Sequence, residues 1–478
     1  MASRQVPVLG YLGLLSILFL ASLPARAAES PVPDNSAALI AVAPRTNLPP
    51  EADDPARPQN TRMLKVSATI RHPYWTDDAG VMGGSGNPYN AYQRSSFGTW
   101  TNYDEAKANP YPLLPALLVL KSGQPVKDAD TWWKERRPEI LNDFLTEIYG
   151  RIPENTPGVS WEVTSVNESA GVKTKTIVGH IDNSAYQDAT PTIDLTLSLP
   201  ANAAGPVPVM VIVRPGESGD PRRAAGPSPM QQVLAKGWGY AVFSATSLQA
   251  DNTAGLTRGI IGLMNKGRPR RPDQWGALTA WAWGLSRAID YFETDRDVDA
   301  KQLGVEGHSR WGKTALWAAA LDQRWAIVYA SCSGEGGAKL HRRNSGETVN
   351  DLVDHFPYWM AGNFLKYGGH WNDLPVDAHE LIALVAPRPV FVNGGTQDLQ
   401  ADPHGEFLAE VSAGPAYRLL GKQDLGTTEM PAPNVALISG DLAFREHVGP
   451  HTDELDWPFF IEYASRFIKA RGPNSAAR

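Results

Sequence analysis

Cysteine is nearly absent from this chain of 478 residues, which contains only Cys332. A single thiol cannot form an intramolecular disulfide or supply a cysteine-rich metal site. The sequence also lacks an H-E-x-x-H motif, and its 10 histidines are scattered, so we expect no catalytic metal. The glycine-rich stretch 334–337 lacks the lysine of a phosphate-binding loop, and we expect no cofactor.

An excess of positive charge is also lacking. The 44 Lys and Arg residues against 51 Asp and Glu residues give a formal net charge of −7. Because nucleic-acid binding needs clustered cations, we expect no nucleic-acid partner. A hydrophobic fraction of 42% with 20% charged residues indicates a large globular core, which excludes disorder, collagen and coiled coil for most of the chain.

Long apolar runs are missing except near the N-terminus. Arg4 precedes a run of apolar and small residues over 8–23, and residues 25–27 form an A-x-A cleavage signal. The run is short for a membrane span of about 20 residues, so we predict a cleaved signal peptide over residues 1–27 rather than an anchor. We therefore expect a secreted or periplasmic bacterial protein, with no membrane contact after cleavage, acting as a monomer.

The rest of the chain divides by composition. Residues 28–60 are rich in proline and predict a disordered linker. Residues 61–472 are predicted to form one α/β domain with an N-terminal extension, and residues 473–478 a disordered tail. Apolar residues at helical spacing predict a helix over residues 132–149.

Short apolar runs alternate with helical patterns through the second half of the chain. This order predicts one mixed sheet covered by helices on both faces. The predicted strands are 161–166, 176–181, 193–199, 207–213, 239–244, 302–307, 326–331, 389–393 and 435–439, and the later helices are 274–292, 313–320 and 457–470.

A sharp turn with a central serine connects one predicted strand to the next helix. Residues 307–313 read G-H-S-R-W-G-K, which is close to the G-x-S-x-G turn that exposes the nucleophile of serine hydrolases. The second glycine stands one position late. The alternative is that Ser309 only caps the following helix.

The same string resembles the glucuronoyl esterases of carbohydrate esterase family 15, and in particular their bacterial branch. The resemblance extends in order from about residue 103 to residue 468. Its further motifs are W-K-E-R-R-P-E-I from Trp133, Y-G-R from Tyr149, S-G-E-G-G-A from Ser333, G-E-T from Gly346, F-P-Y-W from Phe356, A-D-P-H-G-E-F from Ala401, G-P-H from Gly449 and D-W from Asp456.

The resemblance implies a fold and a reaction. The fold is the α/β-hydrolase fold, a three-layer sandwich with a mostly parallel central sheet. The reaction is hydrolysis of esters between 4-O-methyl-glucuronic acid on xylan and lignin alcohols. Two alternatives remain open: an acetyl-xylan or other carbohydrate esterase on the same fold, and a non-catalytic protein that binds plant polysaccharide.

A catalytic serine needs a histidine base, which in this fold follows the last strand. After the predicted strand 435–439 only His447 and His451 qualify, and the resemblance selects His451. His447 would then be a solvent-facing loop residue or a donor that positions the loop. The resemblance also implies that Arg310 helps to stabilise the oxyanion.

The third member of the triad departs from the fungal pattern. Fungal family members carry a glutamate where this chain has Cys332, and a thiol cannot replace a carboxylate beside an imidazolium. The candidates are Asp398, which follows the predicted strand 389–393, and Glu335 in the glycine-rich loop. We favour Asp398 because that position usually holds the acid in these folds.

Three residues are candidates for substrate binding. By resemblance, Lys313 binds sugar hydroxyls and Glu347 matches a polar sugar-binding position. Without the resemblance, Lys313 would be a surface lysine and Glu347 a carboxylate at a helix start. A tryptophan that flanks the sugar in the family falls near Gln400, so stacking on the sugar is predicted to be lost there.

Overall fold

The computed structural model describes residues 92–94, 100–108, 113–216 and 226–470. The predicted signal peptide, linker and C-terminal tail lie outside these residues, as does most of the N-terminal extension of the predicted domain. The strands are β1 Tyr92–Arg94, β2 Trp100–Asn102, β3 Val159–Ser169, β4 Val172–Ile181, β5 Thr192–Pro200, β6 Val207–Arg214, β7 Gly239–Ser244, β8 Val298–His308, β9 Ile327–Ser331, β10 Val390–Gly395, β11 Ala436–Leu437 and β12 Leu442–His447.

Ten helices accompany these strands in the described residues. The first, α1, spans residues 129–148 and alternates α-helical turns (Ala129–Thr131, Arg137–Asp143) with π-helical turns (Trp132–Arg136, Phe144–Ile148). The others are α2 Pro229–Ala235, α3 Ala245–Leu248, α4 Gly259–Asn265, α5 Ala277–Phe292, α6 Arg310–Leu321, α7 Val349–His355, α8 Ala378–Val385, α9 Pro403–Leu419 and α10 Trp457–Ala464. Short 3₁₀ turns occur at Glu105–Lys107, Thr253–Thr257, Gly362–Tyr367 and Trp371–Asp373.

Ten strands form one sheet in the order β11-β12-β10-β9-β8-β6-β7-β5-β4-β3. The pairings from β12 through β10, β9, β8 and β6 to β7 are parallel. The pairings at both edges, β11 with β12 and β7 through β5 and β4 to β3, are antiparallel. The predicted mixed sheet with a parallel centre is confirmed.

Strand β6 shows why helices cover both faces of the sheet. Its side chains alternate between two buried clusters: Val209 and Val211 contribute to one, Met210 and Ile212 to the other. A strand buried on both faces has no polar alternation, which is the pattern of a central parallel strand. Helices α5, α6, α8 and α9 pack on the first face, and α2 and α10 pack on the second. The three-layer arrangement follows from this.

The predicted helix over residues 132–149 is confirmed as α1. Ile140, Phe144 and Ile148 share its buried face, as their spacing predicted. The Tyr149 ring stacks on Trp317 of α6, and the Phe144 ring contacts Trp317 at a tilt of 45°. Helix α1 therefore closes the first face of the sheet.

The last strand differs from its prediction. The apolar run 435–439 contributes only the two-residue edge strand β11, and the strand next to β10 is Leu442–His447. The second half of β12 is polar, but Arg445 is buried against Asp456 and lies 3.9 Å from the centre of the Phe459 ring. Hydrophobic patterning missed this strand because the burial of Arg445 depends on its ion pair with Asp456, a residue outside the strand.

The carboxyl ends of the parallel strands meet at one edge of the sheet. Ser309 follows β8, Asp398 follows β10 and His451 follows β12. Ligand and catalytic sites of such sheets lie at this edge. Among the described residues, no helix has both the length and the apolar character of a membrane span.

Candidate active site

The turn between β8 and α6 holds Ser309 in a strained backbone conformation, with φ 60° and ψ −127°. A Cβ atom on Gly307 would lie 2.1 Å from the carbonyl oxygen of Trp311, and one on Gly312 would lie 2.8 Å from that of Ser331. Neither position can hold a side chain, which explains why the second glycine of the motif stands at residue 312. The Ser309 side chain makes no capping hydrogen bond to α6, so the helix-cap alternative is not supported.

His451 and Asp398 meet beside this turn. Nδ1 of His451 lies 2.5 Å from Oδ2 of Asp398, which is fully buried, whereas His451 is partly exposed. The centre of the His451 ring is 4.2 Å from that of His308, the residue before Ser309. A carboxylate on Nδ1 fixes the imidazole so that Nε2 can accept a proton from a nucleophile.

His447 ends β12 and is buried. Its Nδ1 lies 2.6 Å from Asp456, and its Nε2 donates to the carbonyl oxygen of Pro450 over 2.8 Å. Burial lowers the pKa of His447, but Asp456 outweighs it and the pKa is raised. The prediction that His447 is a solvent-facing loop residue is wrong, because its side chain is buried. Its hydrogen bond to Pro450 agrees with the other predicted role, a donor that positions the loop.

Glu335 is fully buried and bound to other cations. Its Oε2 lies 2.9 Å from Nζ of Lys339, and its Oε1 lies 2.5 Å from Nδ1 of His341. Burial raises the pKa of Glu335, but Lys339 and His341 outweigh it and hold the pKa below its usual value. Both carboxylate oxygens are thus committed away from His451, and the geometry does not support the alternative prediction of Glu335 as the triad acid.

Cys332, which the resemblance places at the position of the fungal glutamate, lies close to the triad candidates. Its Sγ, an Asp398 oxygen and a His451 ring nitrogen all lie within 4.8 Å of one another. These are atoms that can ligate a metal, but the last two are already joined by a hydrogen bond. The thiol lies 3.6 Å from the carbonyl oxygen of Thr452, and burial raises its pKa well above the usual value. Cys332 therefore stays protonated and is a poor nucleophile.

Arg310 lies directly after Ser309 and is held from two sides. Its Nη1 donates to Oδ2 of Asp251 over 2.6 Å. Its guanidinium carbon lies 4.9 Å from the ring centre of Trp359 and 5.5 Å from that of Phe356, two rings stacked 3.9 Å apart. Trp359 in turn donates to Oδ1 of Asp251 over 2.7 Å. A guanidinium has five N–H donors, so donors remain for a developing oxyanion.

Lys313 and Glu347 form a buried ion pair. Nζ of Lys313 lies 3.0 Å from Oε2 of Glu347 and donates to the carbonyl oxygen of Ser333 over 2.6 Å. The alternative of a surface lysine is wrong for Lys313, which is buried. Glu347 does stand at a helix start, directly before the N-cap Thr348 of α7, but its carboxylate also binds Lys313. The backbone of Glu347 also donates to the carbonyl oxygen of Gln400 over 2.8 Å, so the three predicted sugar-binding residues are connected.

Gln400 presents an unsatisfied amide at this place. Its Oε1 accepts from the Tyr103 hydroxyl over 3.3 Å. Its Nε2 is buried and has no hydrogen-bond partner within the described part of the chain. A buried donor without a partner is costly, and a ligand oxygen would satisfy it. Gln400 thus has a free hydrogen-bond donor at the position where the resemblance predicts a tryptophan.

Two residues of the site were missed by the sequence analysis. Asp251 lies in a loop 59 positions before Arg310, with no motif around it. Glu406 lies inside the quoted A-D-P-H-G-E-F motif, but no role was assigned to it. Its Oε1 accepts from the Ser333 hydroxyl and from the amide of Gly334, each over 2.9 Å. Glu406 therefore fixes the loop whose carbonyl oxygen binds Lys313.

Glu406 should also make stability depend on pH. Burial, aided by Asp398, raises its pKa from 4.5 to about 8 despite the two hydrogen bonds. Between about pH 4.5 and pH 8, Glu406 keeps its proton in the folded protein but loses it in the unfolded chain. The contribution of Glu406 to the free energy of unfolding is therefore fully present below pH 4.5 and is lost as the pH rises towards 8. We expect the free energy of unfolding, measured by urea denaturation, to decrease less between about pH 4.5 and pH 8 in Glu406→Gln than in the wild type.

The control is Glu154→Gln, at an exposed carboxylate. Glu380, whose pKa burial raises to about 7, acts in the same direction and is present in all three proteins. The comparison therefore isolates Glu406. Parallel curves for Glu406→Gln and the wild type would contradict the assignment.

Comparison with known proteins shows the family to which the chain belongs. Residues 183–421 match the family described as glucuronyl esterase, fungi. The carbohydrate esterase MZ0003 of an unknown prokaryotic organism is 36% identical over 401 residues, which cover 77% of this chain and 92% of that protein. A 4-O-methyl-glucuronoyl methylesterase of Podospora anserina is 41% identical over 127 residues, 24% of this chain and 26% of the relative.

A solved structure extends the match to the whole fold. It is a family 15 glucuronoyl esterase from Teredinibacter turnerae T7901, 40% identical, with a TM-score of 0.72. The match covers 87% of this chain and 99% of that one. The predicted α/β-hydrolase fold is confirmed, and the protein is a carboxylic ester hydrolase. The chain belongs to the glucuronoyl esterases of carbohydrate esterase family 15.

Proposed function

We propose that the protein hydrolyses esters of glucuronic acid or 4-O-methyl-glucuronic acid, such as those that join xylan to lignin. The observation that carries the proposal is the pair of His451 and Asp398 beside the strained Ser309 turn. The names of the relatives support the uronate as the acid half of the substrate. The fixed cations Arg310 and Lys313 also favour a polar, acid-derived substrate.

In the proposed mechanism, Oγ of Ser309 attacks the ester carbonyl carbon while Nε2 of His451 takes the hydroxyl proton. Asp398 stabilises the imidazolium, and Arg310 stabilises the negative oxygen of the tetrahedral intermediate. The bond to the alcohol oxygen then breaks, and His451 returns the proton to the departing alcohol. Water attacks the Ser309 ester with His451 again as base, which releases the uronic acid and restores the serine.

Lys313, Glu347 and Gln400 are proposed to bind the sugar. Lys313 has two of its three N–H groups engaged, by Glu347 and by Ser333, which leaves one donor for a sugar hydroxyl. Glu347 can accept from another hydroxyl, and the unpartnered Nε2 of Gln400 can donate to a sugar oxygen. Three fixed polar groups at one place suit a polyhydroxylated ring.

Hydrolysis by the purified protein tests the proposal. We expect turnover of benzyl glucuronate and little release of acetate from acetylated xylan. Preference for acetylated xylan would replace the proposal with the acetyl-xylan esterase alternative. The alternative of a non-catalytic binding protein is not supported, because the chain is an ester hydrolase by family.

Arg310→Ala should lower kcat far more than it raises KM. The charge of Arg310 is needed mainly in the tetrahedral state, where loss of one oxyanion donor costs about 3–4 kcal/mol, or on the order of 10²–10³ in rate. Steady-state kinetics on benzyl glucuronate measures the changes in kcat and KM separately. Arg268→Ala, at an exposed arginine, is the control. A change in KM alone would instead make Arg310 a ground-state sugar ligand.

Export is part of the proposal, since the insoluble plant cell wall lies outside the bacterial cell. The predicted signal peptide over residues 1–27 supports it. N-terminal sequencing of the exported protein should then begin at Ala28. An intact N-terminus on exported protein would contradict the predicted cleavage.

A further inference from the structure

The segment of residues 100–108 lies against the two loops that carry Glu347 and Gln400, although it is distant from both in sequence. The first of these loops follows β9 and contains Glu347, and the second follows β10 and contains Gln400. The segment consists of β2 and the 3₁₀ turn Glu105–Lys107 with the residues beside it, and it adds no strand to the ten-stranded sheet. Its contacts with the loops are therefore not a consequence of sheet pairing.

The loop before Glu347 makes three hydrogen bonds with this segment. The carbonyl oxygen of Asn102 accepts from the amide of Gly346 over 3.0 Å, and Nδ2 of Asn102 donates to the carbonyl oxygen of Asn344 over 2.7 Å. The amide of Asn344 donates to the carbonyl oxygen of Ala108 over 2.8 Å. Asn102 is only 1% exposed, and buried backbone groups need partners of this kind. The segment thus fixes the path of the chain directly before Glu347.

The two loops also approach each other closely at this place. Gly346 has a φ of 60°, and a Cβ atom on it would lie 2.4 Å from the carbonyl oxygen of Gln400. The amide of Glu347 donates to the same oxygen over 2.8 Å. On the second loop, the Tyr103 hydroxyl of the segment donates to Oε1 of Gln400 over 3.3 Å. Backbones packed this closely leave Glu347 little freedom to move on its own.

Glu105 adds an ionic contact between the segment and both loops. Its carboxylate binds the buried guanidinium of Arg343, and its Oε1 lies 2.9 Å from Nδ1 of His404. The Glu105 side chain is 55% exposed, and ion pairs exposed to water contribute little to stability. The stronger constraint on the loops therefore comes from the buried Asn102.

The position of the Glu347 carboxylate depends on this constraint. Its Oε2 lies 3.0 Å from Nζ of Lys313, and a group that binds a ligand must be held within about 0.5 Å of its productive position. Without the Asn102 side chain, the buried carbonyl oxygen of Asn344 would lose this donor. The loop would then shift to find another partner, and Glu347 would shift with it.

We propose that Asn102 is a positioning residue for the sugar site, which places the Glu347 carboxylate by holding the loop from Asn344 to Gly346. The inference rests on the proposed function, in which Glu347 binds the sugar, and adds a residue that acts on substrate binding through another residue. Ser309 and its partners are not among the contacts of the segment. Loss of the Asn102 side chain should therefore affect KM and spare kcat.

The test is a double-mutant cycle on benzyl glucuronate with Asn102→Ala, Glu347→Gln and the double variant. We expect Asn102→Ala to raise KM about threefold to tenfold, the factor that one hydrogen bond contributes, and to change kcat by less than about twofold. In the Glu347→Gln background the same change should raise KM by less than about twofold, because two residues that act through one contact are not additive.

Asn183→Ala is the matched control. Nδ2 of Asn183 also donates to a backbone carbonyl oxygen, that of Ala189 over 3.1 Å, in the loop between β4 and β5. We expect this variant to keep the wild-type KM. Circular dichroism checks the folding of every variant, and Asn102→Leu, which has nearly the same size but no donor, replaces Asn102→Ala in the cycle if the alanine variant does not fold.

Labelling of Ser309 by a fluorophosphonate separates a positioning role from general damage to the site. The labelling rate in Asn102→Ala should equal that of the wild type, because the reagent carries no sugar. A slower rate, an unchanged KM, or an equal rise in KM in both backgrounds of the cycle would overturn the positioning role and leave the esterase intact.

Failure of the proposed function would look different. No turnover of benzyl glucuronate by the wild type would reject the proposed function and the inference together. Turnover with an unchanged KM in Glu347→Gln would reject Glu347 as a sugar ligand, and the inference with it, but would leave the proposed reaction standing.

Discussion

Ser309→Ala should abolish ester hydrolysis and leave the fold nearly intact. No other hydroxyl can replace a covalent nucleophile, and in subtilisin loss of the serine costs on the order of 10⁶ in kcat. Removal of one hydroxyl at the strained turn should change stability little, because Ser309 makes no side-chain capping bond. The measurement is kcat for benzyl glucuronate together with the thermal midpoint.

Cys332→Ala is the matched control for the neighbouring nucleophile candidate. Cys332 lies near His451, but burial keeps its thiol protonated. We expect this variant to keep most of its activity. Substantial activity in Ser309→Ala combined with its loss in Cys332→Ala would transfer the nucleophile to the thiol.

Asp398→Asn should lower kcat by orders of magnitude, whereas Glu335→Gln should leave kcat of the folded protein nearly unchanged. An amide can hydrogen-bond to Nδ1 of His451, but it selects the wrong tautomer and does not stabilise the histidine cation. In serine proteases the same substitution lowers kcat by about 10⁴. Glu335 bonds instead to Lys339 and His341. The measurement is kcat for benzyl glucuronate, calculated per mole of folded protein, in Asp398→Asn and in Glu335→Gln.

For stability we expect the opposite order of these two variants, with the larger loss in Glu335→Gln. Glu335→Gln leaves two buried cations without their carboxylate, and breaking a buried pair in this way costs about 3–5 kcal/mol. Glu335→Gln should therefore lower the thermal midpoint more than Asp398→Asn does. If Glu335→Gln proved the slower enzyme, the acid would belong to the glycine-rich loop; equal, modest losses would mean that both carboxylates share the role.

The sequence predicted the parts of the fold that depend on local periodicity. The apolar run of β6 and the helical face of α1 carry their own signals, and the order of strands and helices indicated the mixed sheet. Strand β12 carries no such signal, because Arg445 becomes acceptable in the interior only through Asp456 and Phe459. Long-range pairing of this kind is not visible in hydrophobic spacing.

The candidate site divides in the same way. Ser309, His451 and Asp398 were placed by their positions after strands and by motif resemblance. Asp251 could not be placed, since its importance comes from contacts with Arg310 and Trp359, 59 and 108 positions away. The choice between Asp398 and Glu335 also depended on contacts, namely those of Glu335 with Lys339 and His341.

The central claim is that Ser309 is an activated nucleophile within a glucuronate site, and labelling with a fluorophosphonate tests it most directly. Mass spectrometry of the digested protein should place the phosphonyl group on Ser309. Saturating benzyl glucuronate should slow the labelling, while the same concentration of benzyl acetate should not. A label on another residue, or labelling of Ser309 at a rate that benzyl glucuronate leaves unchanged, would contradict the account.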